Sequence, residues 1–262
     1  MRLTHHPALH AGDLIDFLAR RAVPGVEEVV DGVYRRSMAD GSVLEITPDA
    51  DVEGDVDAAR AILRLDADPV AIEAALGGDP LLGPLVRAAP GRRVPGHPDP
   101  AELAVRALLG QQISVAAART LAGRLTAELG EPLADPRGGV THRFPAPAAL
   151  AALDPEALPM PRARGRALVR LAAALAEGEP ADERLPGIGP WTTAYVALRS
   201  GDDDAFLPTD LGVKHGLSAL GADPRRAAEL AEAWRPYRGF AVAHLWAAAA
   251  TPRRDPARDA TA

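Results

Sequence analysis

Hydrophobic positions show both helical and strand spacing before about residue 100, and almost only helical spacing after it. Residues 12–23 carry apolar side chains at helical spacing, which predicts an amphipathic helix. The runs 26–36 and 42–47 are rich in Val, Ile and Tyr and predict strands, with a turn between them over 38–41. A helix followed by paired strands is typical of an α+β fold.

The rest of the first third predicts helices that Pro and Gly interrupt. One helix is expected over 55–64, and a broken helical segment continues to residue 83. A stretch with four Pro and two Gly over 87–100 is the clearest linker. We therefore predict an N-terminal α+β domain over 1–84 and a second domain over 85–252.

The second domain is predicted to be almost entirely helical. Asp99 and Ser114 are placed to cap two helices, 131–147 reads as a loop, and residues 253–262 read as a disordered tail. Further helices are expected over 148–153, 162–177, 190–199, 210–220, 224–234 and 238–250.

Composition narrows the setting. The chain has no Cys, which excludes disulfides, thiolate metal sites and a Cys nucleophile. No apolar run reaches the ~18 residues of a membrane span and no secretory leader is evident, so we expect a cytoplasmic protein. The net charge of −7 is uneven: residues 1–84 hold seven Arg against sixteen acidic residues, whereas 85–170 hold twelve Arg against seven. That basic middle could face phosphates or simply be a solvated surface.

The stretch from Leu185 to Asp210 carries the most chemistry. LPGIGPW is a Gly-rich turn that leads into a helix, and Pro190 suits the first helical turn. Such a turn exposes unpaired backbone N–H groups at the positive end of a helix dipole, which is an anion-binding arrangement. An ordinary helix–turn–helix without a ligand explains the same pattern.

Four further side chains are candidates for a site. Asp210 follows Pro208 and Thr209 at a predicted helix start, where it could be a functional carboxylate or only a helix cap. Trp191 and Tyr195 share one helix face, and Trp246 lies on the last helix. They could form a stacking pocket for an unstacked base, or they could be core residues.

Metal chemistry has little support in the sequence. The seven His residues show no ligand spacing, so we predict no catalytic metal and no cofactor. The acidic run Asp202–Asp204 is interpreted as a solvated charge run.

Taken together, LPGIGPWTTAYVALR and FLPTD resemble the helix–hairpin–helix and Gly/Pro-Asp signature of the DNA base-excision glycosylases. The chain is similar to their AlkA-type alkylation-repair branch, and RALLGQQISVAAARTLAGRL and WRPYRGFAVAHLW match in order. The resemblance implies an α+β fold whose all-α core has two helical lobes with the active-site cleft between them.

The resemblance also implies roles for single residues. Asp210 matches the essential carboxylate, and Gln112 matches the wedge that enters the duplex. The remaining roles are a base pocket, a grip on the DNA backbone, and backbone carbonyls that hold a structural Na⁺ or K⁺. The resemblance assigns the base pocket to Phe17, Trp191, Tyr195 and Trp246. It assigns the grip on the DNA backbone to Gly187, Gly189 and Thr192, and the cation-binding carbonyls to Glu183, Leu185 and Ile188.

The implied reaction is hydrolytic release of alkylated bases, such as 3-methyladenine, from double-stranded DNA by a monomeric enzyme. Relatives that also cleave the strand carry a lysine where this chain has Trp191, so no AP-lyase activity is expected. Two departures from the family pattern stand out. Only eight residues (177–184) lie between the preceding helix and LPGIG, which leaves room for little more than one turn of the first hairpin helix. Leu211 stands where some relatives have an aromatic residue. A glycosylase for deaminated or oxidised bases such as hypoxanthine, and a non-catalytic DNA-binding protein, remain alternatives.

Overall fold

A computed structural model describes residues 1–5, 9 and 11–250. The chain begins with helix α1 (Ala11–Arg21) and a four-stranded antiparallel sheet in the order β1-β2-β3-β4. The strands are β1 (Glu27–Val30), β2 (Val33–Ser37), β3 (Val43–Ile46) and β4 (Val52–Glu53).

The single strand predicted over 26–36 is wrong, because that run is a hairpin. Asp31 and Gly32 adopt φ values of 51° and 77°, and this left-handed pair makes the tight turn that joins β1 to β2. The predicted turn over 38–41 is present, with the Gly41 amide donating to the Met38 carbonyl at 3.0 Å.

Helix α2 (Val56–Leu63) closes the sheet into a first hydrophobic core. Asp55 caps it by accepting from the Ala58 amide. The apolar faces of α1 and α2 pack with Leu44 and Ile46 of the sheet, which are almost fully buried.

Helices α3 (Pro69–Leu76) and α4 (Gly83–Ala88) do not belong to that core. Their apolar side chains pack with the helices at the C-terminal end of the described chain. The predicted boundary between residues 84 and 85 therefore falls inside α4, within a core that residues from both sides share.

The predicted linker over 87–100 is also more ordered than its composition indicates. Arg93 and His97 are buried, the Gly96 amide donates to the Ile62 carbonyl, and the His97 amide donates to the Arg199 carbonyl, both at 2.8 Å. Its Pro and Gly residues let the segment follow a tight path between two helix ends, rather than leaving it loose.

From residue 100 onward the predicted helical character is confirmed. The helices are α5 (Pro100–Leu109), α6 (Val115–Leu129), α7 (Pro147–Ala151), α8 (Arg162–Ala176), α9 (Pro190–Arg199), α10 (Leu211–Ala219), α11 (Ala227–Ala231) and α12 (Arg238–Ala250). Asp99 and Ser114 cap α5 and α6 as expected. The helix predicted over 224–234 is instead α11 flanked by two short 3₁₀ turns. The predicted tail over 253–262 lies outside the described residues.

The loop predicted over 131–147 contains a second, two-stranded sheet. Strands β5 (Pro132–Arg137) and β6 (Val140–His142) form a hairpin, and the amides of Thr141 and His142 both donate to the Gly25 carbonyl. Tertiary contacts of this kind override the low strand propensity of a Pro- and Gly-rich run.

Two helical cores face one cleft. One is formed mainly by α5, α6, α7 and α8, and the other by α3, α4, α10, α11 and α12. Helix α9 contributes to both cores, so side chains on it are held from two sides. Within the described ranges, no helix has the length and apolar character that crossing a membrane requires.

Candidate active site

Asp210 lies at the centre of the cleft, as the N-cap of α10. Its Oδ1 accepts the Val213 amide at 2.9 Å, so one hydrogen bond already fixes the carboxylate against the helix start.

Two indole groups complete the shell of this carboxylate. Trp246 Nε1 donates to Oδ1 at 2.8 Å, and Trp191 Nε1 donates to Oδ2 at 3.0 Å. Three N–H donors therefore hold Asp210, and none of them is a charged group. Such an arrangement stabilises the negative charge while leaving it available to interact with a positive centre in the cleft.

Two glycines on α10 allow Trp246 to come this close. A Cβ at Gly212 would lie 2.6 Å from Trp246 Cδ1, and a Cβ at Gly216 would lie 2.2 Å from the Leu245 carbonyl oxygen. Helices α10 and α12 can cross at this short distance only because neither position has a side chain. Sequence reasoning did not single out either glycine.

The predicted pocket aromatics form two stacked pairs. Trp191 and Tyr195, one turn apart on α9, stack with ring centroids 5.2 Å apart, and Phe17 of α1 stacks on Trp246 at 5.8 Å. All four rings and Asp210 line one cavity of about 740 Å³. The structure thus brings together every residue that was assigned to the base pocket and the predicted carboxylate.

Of the arginines that line the same cavity, two contact its aromatic rings, and sequence reasoning missed both. The Arg21 guanidinium lies 3.7 Å from the centroid of the Phe17 ring, and Arg199 Nη1 donates to the Tyr195 hydroxyl oxygen at 3.0 Å. Burial raises the pKa of the Tyr195 hydroxyl, but the positive charges of Arg199 and Arg21 outweigh it and lower that pKa below its ordinary value.

Gln112, the predicted wedge, lies at the exposed turn between α5 and α6. Its φ of 59° is unusual for a residue with a side chain. The neighbouring Ile113 and Val115 and, on α10, Leu211 are exposed apolar side chains that line the cavity, and Leu211 is 69% exposed. An apolar rim therefore surrounds the cavity beside Gln112.

The two hairpin glycines that are predicted to hold the DNA backbone are at least partly exposed to solvent. Gly187 has a φ of 91°, and a Cβ there would lie 2.6 Å from Ala167 Cβ, so this position requires glycine. Gly189 precedes α9, and a Cβ at this position would have no heavy atom of another segment within 4 Å, which leaves room for a ligand. The first hairpin helix is absent: the residues between Ala176 and Pro190 form turns and irregular segments.

Thr192, the third residue assigned to the DNA grip, has a side chain that faces the protein interior. The residue is 1% exposed, and its Oγ1 accepts from Gln111 Nε2 at 3.0 Å. Because the hydroxyl faces the turn after α5, its role is internal, and Gln111 is a further residue that sequence reasoning missed.

One buried cluster outside the centre of the cleft groups acidic residues with a histidine. Glu27, His97 and Glu102 are close enough together to resemble a metal site, but Arg36 and Arg106 form ion pairs with the two carboxylates. These guanidiniums supply the positive charge that a metal ion would otherwise provide.

The acidic run Asp202–Asp204 is not simply solvated. Asp203 pairs with Arg64, and Asp204 with Arg235 and Arg238. The run therefore joins α2 and α12 to the loop after α9.

Comparison with known proteins agrees with this fold. The family model of the AlkA N-terminal domain matches residues 1–58 and 44–99. Among solved structures, a 3-methyladenine DNA glycosylase from Archaeoglobus fulgidus superposes with a TM-score of 0.75 at 21% identity, covering 95% of this chain and 97% of that chain. An 8-oxoguanine glycosylase/lyase from Clostridium acetobutylicum, in complex with DNA, gives 0.70 at 18% identity, covering 85% and 86%. These likenesses establish the fold of the helix–hairpin–helix DNA glycosylases.

Sequence identity defines the family more narrowly. The chain is 38% identical to DNA-3-methyladenine glycosylase 2 of Escherichia coli over 89% of its own length and 92% of that protein. It is 42% identical to a probable bifunctional transcriptional activator/DNA repair enzyme AlkA of Mycobacterium tuberculosis, over 87% of this chain and 53% of that protein. It therefore spans about half the length of those mycobacterial relatives. The chain belongs to the AlkA-type DNA-3-methyladenine glycosylase family.

Proposed function

We propose that this protein is a monofunctional DNA glycosylase that releases N-alkylated purines, including 3-methyladenine, from double-stranded DNA. The observation that carries the proposal is the Asp210 carboxylate, which two tryptophan indoles hold in a cavity lined by four aromatic rings. Family membership supports the same activity, since the Escherichia coli relative bears that name.

The chemistry follows from the nature of the leaving base. An N-alkylated purine carries positive charge, which weakens its bond to the sugar and favours stacking on electron-rich rings. The base must first leave the duplex, and we assign the stacking rings to Phe17, Trp191, Tyr195 and Trp246 and the wedge to Gln112.

Asp210 then acts on the sugar. Breaking the glycosidic bond leaves positive charge on the sugar, which the fixed carboxylate stabilises, or the carboxylate orients the attacking water. Among the described residues that line the cavity there is no lysine, and Lys214, the only lysine of the chain, is not one of them. The lack of an amine nucleophile supports base release without strand cleavage.

Replacing Asp210 by Asn tests the catalytic assignment. Asp210→Asn should lower the rate of base release by at least about 100-fold, because it removes the negative charge that meets the developing cation. The measurement is mass spectrometry of bases released from methylated DNA, together with the affinity for an undamaged duplex, which should stay close to that of the wild type.

Asp68→Asn is the matched control. Asp68 is the N-cap of α3, as Asp210 is the N-cap of α10, but Asp68 does not line the cavity. It should leave base release unchanged. If the wild type releases no base from any alkylated duplex, the enzyme assignment is wrong. Preferential release of hypoxanthine would instead indicate that the enzyme acts on deaminated bases.

Gly189 provides the complementary variant for DNA binding. Gly189→Glu adds a negative charge at an open helix start, so it should weaken binding to damaged and undamaged duplexes alike. Gly78→Glu is its control, since Gly78 also has open space around it.

The structural cation is a second part of this proposal. Carbonyl oxygens are suitable ligands for Na⁺ or K⁺, and Glu183, Leu185 and Ile188 lie within the turns before α9. The Leu185 carbonyl accepts the Ile188 amide at 3.0 Å, which leaves its second lone pair for an ion. A rise in melting temperature with K⁺ or Na⁺ that choline does not produce would support this assignment. We further propose that the enzyme acts as a monomer, which sedimentation with and without duplex DNA would test.

A further inference from the structure

Two surface turns that are far apart in sequence are joined by one side chain. The turn between α5 and α6 carries Gln112, and the hairpin turn before α9 carries Gly187. Gln111 Nε2 donates to the Gly187 carbonyl at 2.9 Å and to Thr192 Oγ1 at 3.0 Å, across 76 and 81 residues of chain.

Both acceptors are held rigidly. The left-handed φ of Gly187 sets the direction of its carbonyl, and Thr192 is buried at the start of α9. A primary amide has two N–H groups, so Gln111 can satisfy both acceptors at once. No other amino acid of this length offers two donors from one neutral nitrogen.

Gln112 follows immediately and lies in the left-handed region with φ of 59°. Its backbone is restrained on one side by Gln111, whose backbone N–H donates to the Leu108 carbonyl at 3.2 Å, and on the other by Ser114, which caps α6. The direction of the exposed Gln112 side chain therefore depends on how Gln111 is anchored.

We propose that Gln111 is a positioning residue that couples the wedge to the hairpin, so that DNA held at the hairpin places Gln112 in register with the target base. Gln111 acts through Gln112 and does not touch the reacting atoms. The inference rests on the proposed function, in which Gln112 enters the duplex and the hairpin holds the backbone.

The test combines Gln111→Ala with Gln112→Ala in a double-mutant cycle. Under single turnover on a duplex with one 7-methylguanine, Gln111→Ala should slow base release about tenfold, as expected for two lost hydrogen bonds. Because both residues act through the same insertion, the double variant should be no slower than Gln112→Ala alone. Affinity for undamaged duplex should remain near the wild-type value.

Three variants separate positioning from loss of local stability. Thr192→Val removes one acceptor and should slow release in the same direction but less, whereas Thr192→Ser keeps the hydroxyl and should restore the rate. Ser114→Ala loosens the start of α6 without touching Gln111. It should lower the melting temperature, and its effect on the melting temperature should add to that of Gln111→Ala.

A fluorescence measurement keeps the inference testable apart from catalysis. A 2-aminopurine beside the lesion brightens when the lesion leaves the stack, and Gln111→Ala should reduce that increase. If the wild type brightens the probe but releases no base, the proposed activity fails while the coupling stands. Equal brightening by the two proteins, or fully additive effects of Gln111→Ala and Gln112→Ala, would overturn the coupling.

Discussion

Arginines occupy two buried regions of this protein that differ in what balances their charge. In the first, Arg36 pairs with Glu102 at 2.7 Å and Arg106 pairs with Glu27 at 2.9 Å. In the second, Arg199 donates to the Gly96 carbonyl and to Tyr195. Within the described ranges, no carboxylate lies at ion-pairing distance from Arg199 or from its neighbour Arg21. The first region is neutralised internally, and the second keeps its positive charge.

A tyrosine in each region responds to this difference. The Tyr34 hydroxyl donates to Glu27 Oε1 at 2.6 Å, and burial together with that negative charge raises its pKa well above the ordinary value. The Tyr195 hydroxyl accepts from Arg199, and its pKa is lowered despite burial. Two phenols in one chain thus shift in opposite directions because of the sign of the nearest charge.

The difference follows from what each region contacts. The paired cluster joins the sheet to α5, and its carboxylates are almost fully buried, so an uncancelled charge there would cost stability. The second region ends a cavity that, in the proposed function, receives part of a polyanion. If the proposed function is right, positive charge that no carboxylate balances there attracts the phosphates of DNA.

The largest effect is expected from breaking the paired cluster. Glu102→Gln leaves Arg36 and Arg106 sharing the single carboxylate of Glu27, which is itself almost fully buried. We expect the free energy of unfolding to fall by about 3–5 kcal/mol, the usual cost of an unpaired buried charge. Urea denaturation followed by circular dichroism measures it.

An exposed pair gives the matched comparison. Glu229 pairs with Arg226 on the surface, so Glu229→Gln should leave the urea midpoint unchanged. A Glu102→Gln midpoint equal to that of Glu229→Gln would show that the buried cluster contributes no more than a surface pair.

Much of this fold was predictable because its signals are local. Asp99 and Ser114 cap helices as their sequence context indicates, and Asp210 does the same at the site itself. The hairpin at Asp31-Gly32 carried an equally local signal, since Asp-Gly between apolar residues favours a left-handed turn. Its alternating neighbours were instead interpreted as one continuous strand.

The missed site residues depend on contacts between distant segments. Gln111 reaches the hairpin, Arg199 reaches the 95–97 segment, and Gly212 matters only because α12 crosses α10. Thr192 illustrates the reverse case, because a resemblance transfers a position but not the direction of its side chain. Each of these roles is set by packing, which no local pattern in the sequence encodes.

A smaller effect is expected on the pKa of Tyr195, which lies in the second region beside Arg199. Arg199→Met removes a positive charge beside Tyr195 but leaves the ring largely buried, so the pKa of Tyr195 should rise. Arg199→Lys keeps the charge and should hold the pKa below its ordinary value. Ultraviolet titration of the phenols, with Tyr195→Phe to assign the signal, measures both.

The two tyrosines should also give opposite dependences of stability on pH. The pKa of Tyr195 is lower in the folded state than in the unfolded chain, so its contribution grows as pH rises through the folded pKa towards about 10. The pKa of Tyr34 is raised on folding, so its contribution is complete below about 10 and is lost above it. In Arg199→Met, the increase in stability with pH that Tyr195 contributes should disappear, while the decrease that Tyr34 contributes above about pH 10 should remain. An alkaline stability profile identical to that of the wild type would mean that Arg199 does not set the charge felt by Tyr195.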